Sequence, residues 1–155
     1  MRYRHTGNVH KDFHLATQTT IRYILEKYDR AFLAELFRRT AQRVYREIYQ
    51  ALVEGDAEPL VEHFRYYYGR EGGEFTVDRE EDGVITFRVT ACPAVTHVLE
   101  QRGNVDDTFY LQFELLAAGF GEGTPFDITF ERTGTKSYVY RIRGPVGNGA
   151  DDAVR

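Results

Sequence analysis

The sequence predicts an α+β domain, with N-terminal helices packed on a mostly antiparallel four-stranded sheet and two short helices inserted between its hairpins. Three observations predict it. The first 70 residues carry apolar side chains at spacings of three, four and seven, as amphipathic helices do. Four later stretches alternate apolar and polar residues with period two, as half-buried strands do. The turn signals Asp82-Gly83 and Thr133-Gly134 join those stretches in pairs.

Residues 1–9 read as an irregular arm. A first helix is expected from about His10 to Tyr28, with Phe13, Thr17, Ile21, Ile24 and Leu25 as its apolar stripe. The second helix runs from Arg30 to Glu54, where Leu33, Leu36, Phe37, Val44, Ile48 and Leu52 share a side and Gly55 provides the stop. Arg38, Arg39, Arg43 and Arg46 suit the solvated side of that helix. Asp56 can cap a third helix through about Tyr68, with Pro59 tolerated in the first turn. Three consecutive tyrosines, Tyr66 to Tyr68, cannot all point one way on a helix, so one of them is partly exposed or faces a pocket.

Gly69 to Gly73 breaks the helical half. Phe75 and Val77 open a hairpin whose return strand is Val84 to Ala91, followed by a short helix from Pro93 to about Gln101. Asp106 or Asp107 caps another helix carrying Phe109, Leu111, Phe113, Leu116 and Ala117. Phe126, Ile128 and Phe130 alternate in one strand of the last hairpin, and Tyr138, Tyr140 and Ile142 alternate back in the other. Residues 1–144 are read as one domain and 145–155 as a flexible tail.

Net charge is −4, with 12 basic against 9 acidic residues up to position 70 and 8 against 15 beyond it. Neither part has the dense basic clusters of a nucleic-acid binder. One cysteine excludes an intramolecular disulfide and a multi-cysteine zinc site, and neither a metal nor a cofactor is expected. No apolar run approaches the length of a membrane span, so a cytoplasmic soluble protein is expected. The long second helix is compatible with a homodimer.

The chemistry centres on the junction Thr90-Ala91-Cys92-Pro93. Pro93 suits the first helical position, which puts Cys92 at the N-cap, where unpaired N–H groups favour a negative charge. A thiol there can be activated as a nucleophile; as a small buried hydrophobe it is inert. His97 lies five residues on, about 140° round the helix, and does not share the face of Cys92. A base would come from another element, and His10, His14 and His63 are the available imidazoles. His10 and His14 are spaced one turn apart, as a metal-binding pair can be, but no third ligand stands near them. Strand parity places Arg88 and Thr90 on the face of Cys92, away from Phe87 and Val89. It predicts a sulfur turned toward a cavity lined partly by residues of the N-terminal helical half.

The segments YDRAFLAELFRRTAQRVYREIYQAL, TACPAVTHV and EGTPFDITFERTGTKSYVYRIR together resemble the L-2-amino-thiazoline-4-carboxylic acid hydrolase family over about His10 to Arg143. Tyr110 and Tyr138 stand near places where the family pattern has further cysteines. The resemblance implies a small-molecule hydrolase opening a C–N or C=N bond of a heterocycle or amide. Cys92 would then be the nucleophile, or sit beside an activated water, with one of His10, His14 or His63 as base. Arg88 is the candidate clamp for a substrate carboxylate, with His97 and Tyr67 as further candidate binding residues. The alternative is a sensor or carrier that encloses a small ligand and turns nothing over, which the many aromatics suit.

Overall fold

The computed structural model describes residues 10–144, so the expected N-terminal arm and C-terminal tail lie outside the described residues. The elements run α1 (Phe13–Lys27), α2 (Arg30–Arg39), a π-helical turn (Thr40–Val44), α3 (Arg46–Val53), α4 (Glu58–Arg70), β1 (Glu74–Arg79) and β2 (Ile85–Ala91). They continue through α5 (Pro93–Arg102), a 3₁₀ turn (Asp107–Tyr110), α6 (Leu111–Gly121), β3 (Asp127–Arg132) and β4 (Tyr138–Arg143). The predicted α+β architecture is the one observed. All strand pairings are antiparallel in the order β1-β2-β4-β3, so the two hairpins join through β2 and β4, with α5 and α6 crossing between them.

The sheet's inner face carries Phe87 and Val89 opposite Tyr140 and Tyr138, and the helices cover that face. Phe64 of α4 stacks on Tyr140 at 4.5 Å, and Phe75 stacks on Phe87 at 4.9 Å. Arg88 and Thr90 point to the other face and are exposed. Among the described residues no helix is long and apolar enough to cross a membrane.

Local chemistry explains the ends. Asp29 caps α2 by accepting the Phe32 N–H at 2.7 Å, and Asp106 accepts the Thr108 N–H at 2.9 Å. Gly103 closes α5 in the left-handed conformation, φ 74°. Two details depart from the sequence reading. The expected single helix from Arg30 to Glu54 widens into a π turn at Thr40–Val44, which leaves Val44 67% exposed and buries Ala41 in its stead. In α1 Ile21 and Ile24 are buried as expected, but His14 and Gln18 are buried where Phe13 and Thr17 were expected, and Phe13 is 47% exposed.

Candidate functional site

A cavity of about 230 Å³ lies between α1, the π turn, α4, α6 and β4. Eight of its lining residues are aromatic, among them Phe13, Tyr45, Phe64, Tyr67 and Tyr140. The π turn contributes directly to it. Its wide hydrogen bond, from Tyr45 N–H to the Thr40 carbonyl at 3.1 Å, sets Thr40 and Tyr45 on the wall and brings the Tyr45 ring 4.8 Å from His63. Thr17 and Thr40 also line the cavity, but each hydroxyl donates to its own helix, to the Phe13 and Leu36 carbonyls at 2.9 Å. None of the lining residues is an Asp, Glu, Lys or Arg.

His63 is the one titratable imidazole on the wall. Burial pushes its pKa from 6.5 down to about 4, so it is neutral near pH 7 and offers one donor and one acceptor. Burial also raises the phenol of Tyr67 well above its usual value. The cavity is therefore apolar, uncharged and furnished with hydroxyl and imidazole groups.

From this wall, at Tyr140 and Tyr68, a chain of buried groups runs inward. The Tyr140 and Tyr68 hydroxyls are 3.0 Å apart, the Tyr68 and Tyr138 hydroxyls are also 3.0 Å apart, and the Tyr138 hydroxyl lies 3.1 Å from Cys92 Sγ. Cys92 itself is fully buried. It occupies the N-cap of α5, as the Cys-Pro junction predicts, but its sulfur makes no capping hydrogen bond. Burial raises its pKa, against the opposing pull of the Tyr138 hydroxyl and the Val95 and Ala94 N–H groups.

The direction of the sulfur differs from the parity argument, and the cause is local. Across the ladder Phe75 faces Val89 whereas Glu74 faces Ala91, so Thr90 is an extra residue, a β-bulge. One inserted residue reverses the alternation beyond it. Cys92 turns in with Phe87 and Val89, toward Tyr138, and Arg88 stays on the opposite, exposed face.

The histidines separate into groups. His10 precedes α1 and is exposed. His14 is fully buried, and its Nε2 lies 2.7 Å from Glu71 Oε2. A carboxylate only accepts, so Nε2 carries the proton; Nδ1, like Gln18 Oε1 one turn on, is buried without a hydrogen-bond partner. The ring of His97 lies 6.4 Å from that of His14, and its Nε2 is 3.2 Å from Asp12 Oδ1. His63 and Tyr67 sit together on the cavity wall. Among the described residues no group of three or more His, Cys, Asp or Glu is placed to hold a metal.

Sequence reasoning found neither Glu71 as the partner of His14 nor the row of Tyr68, Tyr138 and Tyr140. Glu71 follows the last turn of a helix, and the two strand tyrosines read simply as the inner face of a hairpin. No protein-family model matches the chain, and no curated protein or solved structure does.

Proposed function

We propose that this chain is a small-ligand-binding domain that holds an uncharged compound of one or two rings in its aromatic cavity. The observation that carries this reading is the lining: aromatic, with no charged side chain, around about 230 Å³. Engineered apolar cavities of roughly 150 Å³ already admit benzene. An ionised ligand would lose its hydration there without a counter-charge, at a cost of several kcal/mol. Stacking faces and a few neutral hydrogen-bonding groups instead favour flat, weakly polar molecules.

Calorimetric titration with acetophenone and with benzoate, matched in size but not in charge, tests the reading. Acetophenone should bind and benzoate should bind at least about tenfold more weakly, a difference of ~1.4 kcal/mol. Leu116→Phe, which fills the cavity from α6, should abolish acetophenone binding. Equal affinity for both probes, or undiminished binding by the filled variant, overturns it.

A second reading, the hydrolase implied by the family resemblance, is favoured by one observation: the hydroxyl chain links Cys92 to the cavity wall. Wild type and Cys92→Ser would be incubated with 2-aminothiazoline-4-carboxylate and ring opening followed. Equal rates remove Cys92 from the mechanism; absence of turnover removes this substrate. The buried thiol and the exposed Arg88 on the far face of the sheet both weigh toward the binding reading.

A further inference from the structure

The hydroxyl chain narrows the ligand class, an inference that rests on the cavity being a ligand site. Tyr140, Tyr68, Tyr138 and Cys92 each bring one X–H proton, and three short contacts link them in a row. Four protons in three links leave one over, and in an ordered row it is left at one end. Tyr138 can serve only one neighbour at a time. Either the row runs from Tyr140 to the sulfur and the Cys92 S–H is left over, or it runs from the S–H outward and the Tyr140 O–H is left over, at the cavity wall.

The two arrangements are unequal without a ligand. A thiol is a weak donor, so an unused S–H costs less than a buried phenol O–H with no acceptor. Burial keeps water from the inner links, since Tyr68 and Tyr138 are at most 1% exposed and Cys92 is fully enclosed, while Tyr140, 3% exposed, forms the cavity end of the row. Without a ligand acceptor at Tyr140 the row therefore points inward, toward the sulfur. A ligand carrying a hydrogen-bond acceptor against Tyr140 reverses all three links, and the S–H then donates to Tyr138.

We propose that the cavity selects uncharged ring compounds bearing a hydrogen-bond acceptor, such as a ketone or ring nitrogen, and that binding them reverses the row and engages the Cys92 S–H as a donor. The chain's single cysteine makes the S–H stretching band in the infrared unambiguous. Acetophenone and α-methylstyrene, in which a CH₂ group replaces the carbonyl oxygen, are matched in shape and serve as probes. In the wild type acetophenone should bind about tenfold tighter than α-methylstyrene, the worth of one uncharged hydrogen bond. It should also move the S–H band to lower frequency and broaden it, whereas α-methylstyrene should leave the band unchanged. In Tyr140→Phe the preference should fall to near parity; Tyr68→Phe, which breaks the row one link deeper, should abolish the band shift while still admitting both probes. Binding of both probes with an unmoved band in the wild type overturns the coupling to Cys92. Equal wild-type affinities overturn the acceptor class. Failure of both probes to bind overturns the ligand-site reading itself, and this inference with it.

Discussion

At the scale of single residues, the chain's buried polar groups divide by how they are partnered. His14 and Glu71 meet at 2.7 Å with side-chain exposures of 0% and 4%, so neither has water to fall back on. Removing one member leaves the other desolvated and alone, which is more costly than never having built the pair. His14→Ala should lower stability by about 3 kcal/mol in urea denaturation, and adding Glu71→Leu should recover much of that loss. His63 carries a pH dependence. Its folded pKa of about 4 lies below the ordinary 6.5, so the unfolded chain takes up the proton first. Stability is therefore full above about pH 6.5 and falls as the pH drops toward 4, by about 2 kcal/mol at pH 5. Urea midpoints at pH 7 and pH 5 should differ in the wild type, and that part of the difference should vanish in His63→Gln.

At the scale of elements, α6 lies against α2 with almost no clearance. A Cβ on Gly119 would stand 2.9 Å from the Arg38 Cα, 3.1 Å from the Ala41 Cβ and 3.2 Å from the Phe37 carbonyl oxygen. Two of those atoms are backbone, so a methyl group separates the helices where a flexible side chain would have yielded. Gly119→Ala gains up to ~1 kcal/mol of helix propensity and loses about 1–3 to overpacking. Chemical denaturation should show net destabilisation. A more stable variant would mean that the helices separate at little cost. The same packed region contains the π turn, and widening α2 there lets one helical run pack Ala41 against α6 and still turn Tyr45 to the cavity.

At the scale of the molecule, the aromatic core encloses the thiol so fully that its reactivity reports global opening. Cys92 is 0% exposed and burial raises its pKa. Iodoacetamide should fail to alkylate it in the native protein at pH 8. The rate should rise with urea in step with the unfolding transition. Alkylation at the rate of a free thiol without denaturant would show a local path to the sulfur and would revive the nucleophile reading.

The sequence by itself determined most of the elements and where they lie in the chain. Period-two runs specified β2, β3 and β4, the spacing around Leu33, Ile48 and Leu52 specified the second helical run, and Pro93 placed Cys92 at a helix N-cap. These are local properties: each follows from side-chain periodicity or a fixed φ within a few residues. Only the tertiary structure decided where the site groups point. The bulge at Thr90 depends on how β1 registers on β2, and it turned the sulfur from the expected face to the opposite one. The partner of His14 is 57 residues away, and the Tyr68 hydroxyl meets partners 70 and 72 residues on. Such contacts leave no periodic trace in the chain, because they depend on the packing of α1 and α4 against the rest rather than on any local preference.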